Sequence, residues 1–338
     1  MTDIRVVANY FGKPPRTFQL WLDSCGQNPR ITFLFFTDCN MSRYVLPNNV
    51  RVISITFAEM REKLQAPFSY PIQYERAWDF CAFRPVFGSV FKQELDGADF
   101  WGWCDCDLIF GDLTSVVELA GGGYDKLMSK GHFSLVRNAQ PLNDFVLNHP
   151  LTRGAISAER TVPCYDELHF RFYVLREFGA RQLPETEIPF VNVAPRTGHF
   201  TFDCSHALSK RLGLPNNRSV PFILTWYAGK LVGHFAMPDC SVKKVELAYA
   251  HFIKRDLHDF VGRLERGCSY LVTPDGVVEA SACDYTYEQI LNLDRPRIHW
   301  KYYRDRLNFR TLKRKAKEFY WRVTKTSPYL PCVYYEGC

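Results

Sequence analysis

The sequence predicts an α/β protein in which helices flank a Rossmann-like, mostly parallel sheet. Over the first 110 residues, strands rich in Val, Ile and Phe alternate with segments of helical periodicity, which is the pattern of successive βαβ units. The chain of 338 residues is 46% apolar and 15% aromatic, enough for a packed core in one large domain or two moderate ones. Ligands of such sheets bind at the carboxyl ends of the strands, so functional side chains are expected there.

The predicted elements follow that pattern in chain order. They are a strand at 4–11, a helix at 15–25, strands at 30–38 and 49–56, a helix at 75–95, and a strand at 98–111. Later elements are a strand at 131–138, a β-hairpin at 220–236 with its turn at Ala228-Gly229, and a strand from 242 to His251. The glycine-rich stretch at 120–126 is interpreted as a flexible connection rather than a phosphate-binding loop.

Composition argues against several classes of protein. The chain has no run of 18 apolar residues, so no segment is expected to span a membrane. Its first residues lack the basic start and apolar core of a signal peptide, which predicts a cytoplasmic protein. The 12 cysteines are scattered without a CxxC pair, which favours reduced, buried thiols over disulfides or a zinc site.

Two aspartates lie one residue apart in the apolar and aromatic run FWGWCDCDLIFGDL, residues 100–113. If the chain there is extended, Asp105 and Asp107 face the same side and Cys106 packs on the other. Two carboxylates held that close repel each other unless a proton or a cation lies between them. Solvated turn residues are the alternative, but such turns rarely lie inside so apolar a run. The pattern therefore favours a divalent cation that also coordinates phosphates.

Further polar or aromatic side chains follow the ends of the first two strands. Asn9, Tyr10 and Phe11 end the first strand, and Asp38 ends the second. These residues are candidates for binding a nucleotide, with Asp38 placed to meet the base or the ribose. The alternative for Asp38 is a helix N-cap or a turn residue.

The segment around the two aspartates resembles the DxD region of GT-A-type, nucleotide-sugar-dependent glycosyltransferases. In related families with a sugar-binding DxD, an Asp and a following Arg lie on the helix before that strand. Asp79 and Arg84 match this pair, with one residue more than the commonest spacing. The whole is most similar to little-characterised bacterial glycosyltransferases of surface polysaccharides. The resemblance is good over 1–115 and patchy from there to 255.

The resemblance implies a GT-A-like fold and a set of ligands. Asp105, Asp107 and His251 would hold Mn²⁺ or Mg²⁺, and Asp105 would reach the metal through water or bind the ribose or sugar of the donor. Lys254 or Arg255 would bind the phosphates of a nucleotide diphosphate sugar, with a UDP-sugar favoured. The families that the chain most resembles largely retain the anomeric configuration of the transferred sugar. The resemblance therefore favours a retaining reaction. A core histidine that binds nothing is the alternative for His251.

An adjacent pair of acidic residues, Asp166 and Glu167, lies between aromatic residues in VPCYDELHFRF, residues 162–172. One of them could orient the acceptor hydroxyl or take its proton as a general base. The alternative is an ordinary pair of charges at the start of a helix. The acceptor would be a lipid-linked glycan. It would be an intermediate of a cell-surface polysaccharide or of a lipopolysaccharide.

The positive charge of the chain is concentrated near its end. Residues 295–325 contain 12 Lys and Arg against Asp305 and Glu318, a local charge of +10, whereas the whole chain carries +6. Basic residues mixed with Trp, Tyr and Phe favour a helix on an anionic membrane, at the inner face of the plasma membrane, over a helix packed on the body. No nucleic-acid partner is expected, although such an arm would have a similar composition.

The expected organisation is therefore threefold. Residues 1–115 form a nucleotide-sugar-binding half, 116–290 an acceptor-binding half, and 291–338 a basic, aromatic helical tail. Two rival functions remain open. A metal-dependent nucleotidyltransferase or phosphohydrolase also uses paired aspartates, but usually needs more carboxylates or a glycine-rich phosphate loop. A non-catalytic module that binds a membrane or a nucleic acid would use the aspartates structurally.

Overall fold

The structure is a computed structural model that describes residues 2–157, 162, 164–192, 206–215, 220–252, 259–265, 267–273, 276–280, 282 and 284–294. The strands in these residues are β1 (Ile4–Tyr10), β2 (Ile31–Thr37), β3 (Val50–Ser54), β4 (Phe100–Cys104), β5 (Leu108–Phe110), β6 (Lys126–Lys130), β7 (Phe133–Arg137), β8 (Val191–Asn192), β9 (Phe222–Tyr227), β10 (Lys230–Ala236), β11 (Val242–Leu247), β12 (Tyr249–His251), β13 (Asp259–Phe260), β14 (Ser269–Thr273) and β15 (Gly276–Glu279). The α-helices there are α1 (Phe18–Gly26), α2 (Phe57–Gln65), α3 (Phe87–Val90), α4 (Thr114–Ala120), α5 (Gln140–Asn148), α6 (Pro150–Ile156), α7 (Leu175–Phe178), α8 (His206–Leu212) and α9 (Tyr287–Leu293). A 3-10 helix spans Ala77–Val86 and a π-helix spans Tyr165–Val174.

The central sheet has six strands in the order β3-β2-β1-β4-β7-β6. Strands β1 to β4 are parallel to one another, and β7 and β6 add an antiparallel edge beside β4. The predicted fold class, a mostly parallel sheet flanked by helices, is confirmed. The parallel strands end together at the edge where the first candidate side chains were expected.

Both faces of this sheet are buried, which explains the nearly continuous apolar composition of its strands. Val6 and Phe33 pack into one core, and Val7 and Leu34 pack into the other. Alternate residues of each strand thus supply the two cores. Burying each such side chain stabilises the fold by roughly 1.5–3 kcal/mol, so each strand is anchored from both sides.

A second sheet, in the order β11-β10-β9-β14-β15-β13, is antiparallel apart from the β13–β15 pair. Its predicted hairpin is confirmed, because β9 and β10 pair around Ala228 and Gly229, whose φ angles are +50° and +84°. Two positive φ values are the signature of a turn whose twist matches that of the flanking strands. The remaining strands of this sheet, apart from β11, were not predicted.

The prediction of one strand over 98–111 is wrong. That segment forms β4 and β5, which belong to different sheets, because β5 joins β12 and β8 in a three-stranded sheet. The predicted strand from 242 to His251 also divides, into β11 of the second sheet and β12 of the three-stranded one. In both places the chain passes from one sheet to another within a few residues.

The helix predicted over 75–95 is a 3-10 helix followed by the single turn of α3. Pro85 explains this difference, because it has no N–H to donate and disfavours the α conformation at the preceding residue. The tail at 295–338 lies outside the described residues. Among the helices that the structure does describe, none has the length and hydropathy needed to cross a bilayer.

Candidate active site

The two aspartates lie in the short link between β4 and β5, at the carboxyl end of β4. The backbone N–H of Asp105 donates to the carbonyl of His132 at 2.9 Å, and the carbonyl of Asp107 accepts from the N–H of Phe252 at 2.9 Å. Cys106 between them is buried in one core of the central sheet, as predicted. Each aspartate is therefore fixed through its backbone.

Strand pairing brings His251 to this link. Strand β12 pairs antiparallel with β5 so that His251 lies opposite Leu108, next to Asp107. The His251 Nε2 atom is 3.3 Å from Asp107 Oδ1 and 3.7 Å from Asp105 Oδ2. One oxygen or nitrogen atom from each of the three side chains lies within 4.8 Å of the others.

These three side chains fit a divalent cation. Carboxylate oxygens suit Mg²⁺ and Mn²⁺, whereas an imidazole nitrogen is a better ligand for a transition-metal ion than for Mg²⁺. The donor set of two carboxylates and one imidazole therefore favours Mn²⁺ over Mg²⁺. The ring of His251 is buried and its Nε2 atom already faces both carboxylates, so these donors need little rearrangement to converge on one ion.

Without a metal ion, protons bound to these side chains neutralise part of the negative charge of the two aspartates. Burial raises the pKa of Asp105, against the opposing effect of Arg84, and the neighbouring Asp107 charge raises it further. Burial lowers the pKa of His251, but the hydrogen bond and charge of Asp107, with the charge of Asp105, outweigh burial and raise it overall. The cluster thus favours a bound positive charge, either a proton or a metal ion.

Arg84 joins this cluster to the acidic pair on the π-helix. Its guanidinium pairs with Asp105 through Nη2, and its Nη1 atom is 3.0 Å from Asp166 Oδ2 and donates to the carbonyl of Gly131 at 2.6 Å. Only 9% of the Arg84 side chain is exposed, so these partners replace water almost completely. Burial by itself lowers the pKa of Arg84, but the charges of Asp105 and Asp166 raise it, and the guanidinium stays charged.

The predicted acidic pair occupies two different environments. The Asp166 side chain is only 10% exposed, and burial raises its pKa to about 6, with Arg84 opposing this effect and Glu167 adding to it. Glu167 is half-buried and lines the same cleft as Asp105, Asp107 and His251, whereas Asp166 does not. The π-helix that carries both residues is a rare element found mostly at functional sites.

A cleft of about 800 Å³ opens over these groups. It is lined by Asn9, Tyr10 and Phe11, the candidate ligand-binding side chains at the end of β1. Trp78 lines it too, and its side chain is 69% exposed, the most of any large apolar residue described. Sequence reasoning missed Trp78, because the segment at 75–95 was interpreted as a helix with its aromatic residues at helical spacing. Its position directly before Asp79 was the available signal.

Of the predicted residues that the structure describes, Asp38 and Asp79, like Asp166, do not line the cleft. Asp79 is buried and accepts hydrogen bonds from the backbone N–H groups of Glu75 and Arg76, both at 3.0 Å, at the start of the 3-10 helix. Asp38 is exposed and accepts from the N–H of Gly12 at 2.8 Å, so it ties the loop after β1 to the end of β2. Lys254 and Arg255 lie outside the described residues.

Residues 6–281 match the model of a family described as "Family of unknown function (DUF6625)". The chain belongs to this family. No curated protein matches the sequence. The family has no assigned reaction, so membership leaves the activity to be argued from the site.

Several solved structures of glycosyltransferases are distantly similar to the chain. GlyE of Streptococcus pneumoniae TIGR4 is 13% identical with a TM-score of 0.34, over 55% of this chain and 46% of that one. A glycosyltransferase involved in glycosylating the major capsid of PBCV-1 is 11% identical with a TM-score of 0.34, over 56% and 85%. Mouse xyloside xylosyltransferase 1 is 10% identical with a TM-score of 0.36, over 57% and 88%. The chain thus spans less than half the length of GlyE, and likeness at this level carries no conclusion about activity.

Proposed function

We propose that this protein is a metal-dependent glycosyltransferase that moves a sugar from a nucleotide diphosphate sugar to a glycan acceptor. One observation carries the proposal. Asp105, Asp107 and His251 converge to within 4.8 Å at the carboxyl end of a parallel strand, beneath a cleft of about 800 Å³. A cleft of that volume is large enough for a nucleotide sugar.

The chemistry of the transfer explains the need for such a cluster. A nucleoside diphosphate is a poor leaving group until its negative charge is neutralised, which is what a divalent cation supplies when it is bound. Asp107 and His251 would hold that ion directly, and Asp105 would hold it directly or through water. Asn9, Tyr10 and Phe11 would line the nucleoside part of the cleft, and Lys254 or Arg255 would contact the phosphates.

The place of Arg84 favours one cation rather than two. A two-metal nucleotidyltransferase or phosphohydrolase needs carboxylates that bridge ions about 3.5–4 Å apart. Here a guanidinium already lies between Asp105 and Asp166, the carboxylates that could otherwise share a second ion. This arrangement supports sugar transfer over the two-metal rivals.

The two members of the acidic pair would have different roles. Glu167 faces the cleft, so it would contact the acceptor hydroxyl or the transferred sugar. Asp166 is nearly buried and paired with Arg84, so it would act as a positioning residue. Trp78 offers an exposed, flat apolar face of the kind on which sugars and bases stack.

The finer points of the function also belong to this proposal. The acceptor would be a lipid-linked intermediate of a surface glycan, and the basic residues at 295–325 would bring the chain to an anionic membrane. The donor would be a UDP-sugar, and the reaction would retain the anomeric configuration. These points rest on the sequence alone.

Calorimetric titration with UDP and GDP, each with and without Mn²⁺, tests the proposal. We expect one nucleotide to bind only with Mn²⁺, and Asp107→Asn to weaken this binding at least about tenfold, because even a residue that merely supports a metal ligand is worth that much. Asp96→Asn, at an exposed aspartate in the turn before β4, is the matched control and should bind as the wild type does.

Two results would contradict the proposal. Absence of nucleotide binding under every condition would exclude a nucleotide-sugar donor. Release of a nucleoside monophosphate and a sugar 1-phosphate from a nucleotide sugar would identify a phosphohydrolase, and release of pyrophosphate from a nucleoside triphosphate in the presence of a sugar 1-phosphate would identify a nucleotidyltransferase.

A further inference from the structure

The turn between β6 and β7 holds Arg84 and Asp105 of the candidate site through its backbone. The carbonyl of Gly131 accepts hydrogen bonds from Arg84 Nη1 and from Trp103 Nε1, both at 2.6 Å. The next carbonyl, that of His132, accepts from the N–H of Asp105 at 2.9 Å. Two successive peptide groups therefore hold both the arginine and the first aspartate.

The same turn supports the metal-binding histidine. The His132 ring is buried and lies against the ring of His251, with 4.2 Å between their centroids and 34° between their planes. Burial, with the charge of His251, lowers the pKa of His132 well below the usual value, so the ring is neutral. A neutral ring adds no second positive charge beside His251.

The turn is itself held by a buried amine. Lys126 is 3% exposed, and its Nζ donates to the carbonyl of Met128 at 2.5 Å and to Ser134 Oγ at 2.6 Å. The hydroxyl of Ser134 donates in turn to the carbonyl of Lys130 at 2.9 Å. These bonds brace the irregular end of β6, where Met128 has a φ of +60°.

Gly131 allows the acidic pair to lie directly on the turn. A Cβ atom at this position would be 2.7 Å from Glu167 Cγ and 2.9 Å from both Glu167 Oε1 and Asp166 Oδ2. All three distances are shorter than a carbon atom tolerates, and two of them, including the shortest, involve Glu167. A side chain at this position would therefore displace Glu167 or Asp166.

We propose that Gly131 is a positioning residue for the transfer step: its missing side chain lets the Glu167 side chain lie against the turn and line the same cleft as Asp105, Asp107 and His251. This inference rests on the proposed function. A methyl group at position 131 would displace Glu167 and leave the cation ligands Asp107 and His251 where they are. Misplacing a group that contacts the reacting atoms by about 1 Å can slow a reaction about 100-fold.

Gly131→Ala tests this, with Gly262→Ala as the matched control, because a Cβ on Gly262 would meet nothing within 4 Å. Mn²⁺-dependent binding of UDP or GDP is measured by calorimetry. Turnover is measured as nucleoside diphosphate release from UDP-glucose, UDP-galactose, UDP-N-acetylglucosamine and GDP-mannose. We expect Gly131→Ala to slow turnover about 10- to 100-fold while its nucleotide affinity stays within about twofold. Unchanged turnover, or an equal loss of nucleotide affinity, would overturn the proposal.

A thermal double-mutant cycle tests the contact itself, even where Gly131→Ala folds poorly. We expect Gly131→Ala to lower the Tm of the wild type clearly, and to lower that of Glu167→Ala much less, because the displaced side chain is then absent. Equal losses in the two backgrounds would overturn the assigned contact. If the wild type binds no nucleotide, the proposed function fails, and the cycle still decides whether Gly131 positions Glu167.

Discussion

Replacing Asp166 with asparagine should make the folded chain increasingly stable relative to the wild type as the pH rises from 4.5 to 8, and should impair its activity. The Asp166 carboxyl is 10% exposed, and burial raises its pKa to about 6, although Arg84 favours the charged form. In the unfolded chain an aspartate has a pKa near 3.8. At pH 8 the folded chain therefore holds a carboxylate that is more stable in water, and Asp166→Asn removes this charge while retaining an oxygen that can accept from Arg84.

The direction and size of the effect follow from the two pKa values. An aspartate whose pKa is higher in the folded chain adds stability below its unfolded pKa, and this stability is lost as the pH rises through the folded value. For pKa values of 3.8 and about 6, the loss is about 1 kcal/mol at pH 4.5 and about 3 kcal/mol at pH 8. Asp166→Asn should thus gain about 2 kcal/mol on the wild type between these two pH values.

Urea denaturation at pH 4.5 and pH 8.0, with a chelator present, measures this difference in the free energy of unfolding. Comparing wild type and variant at each pH cancels the titration of groups that Asp166 does not influence. Asp96→Asn, an exposed aspartate, should show a difference that stays constant between the two pH values. The reasoning is refuted if Asp166→Asn loses stability relative to the wild type as the pH rises, because Arg84 would then outweigh burial.

Three other changes have defined outcomes. Arg84→Met leaves Asp105 and Asp166 without the guanidinium that both carboxylates pair with. Urea denaturation at pH 8 should then show a loss of about 3–5 kcal/mol in the free energy of unfolding. Near wild-type stability would contradict the buried ion pairs. His251→Gln replaces a nitrogen ligand by oxygen, so calorimetry should show Mn²⁺ affinity falling more than Mg²⁺ affinity; equal losses would argue against direct ligation. Trp78→Ala removes an exposed ring, so the free energy of unfolding should change by less than about 0.5 kcal/mol. Nucleotide-sugar affinity should fall about fivefold, because the ring contact is worth about 1 kcal/mol. Unchanged affinity would place Trp78 outside the ligand site.

The central sheet was predictable because its strands carry a strong local signal. In β1 and β2, apolar residues face both cores, so the runs at 4–11 and 30–38 are almost continuously apolar. Side chains at the ends of such strands converge by geometry alone, which is why Tyr10 was expected in the cleft and is found there. The β9–β10 hairpin was predictable for a similar local reason, its Ala228-Gly229 turn.

Much of the second sheet was missed because its strands are short. Strands β14 and β15 have five and four residues, too few to show a period. A signal was available, since VTPDGVVE at 272–279 places Pro, Asp and Gly between two apolar runs, which is the composition of a tight hairpin turn. Strand β13, with two residues, carries no pattern of its own.

The contacts of Arg84 and Gly131 could not be read from the sequence for a different reason. Arg84 meets Asp166 across 82 residues and the Gly131 carbonyl across 47, so no local spacing reports either contact. A family resemblance proposed a role for Arg84 on a helix before the aspartates. Only the packing of the 3-10 helix against the π-helix shows that Arg84 also holds the acidic pair.

The convergence of Asp105 and Asp107 was expected from the alternation of an extended strand, and the structure gives a different cause. Their link is where the chain leaves the central sheet, after β4, and enters the three-stranded sheet, at β5. At the end of β4, Arg84 pairs with Asp105. At the start of β5, the register of β5 and β12 places His251 beside Asp107. A single extended strand would have stayed in one sheet and could have met only the partners of that sheet. The break in the strand is thus what allows an arginine from one layer and a histidine from another to face the same pair of carboxylates.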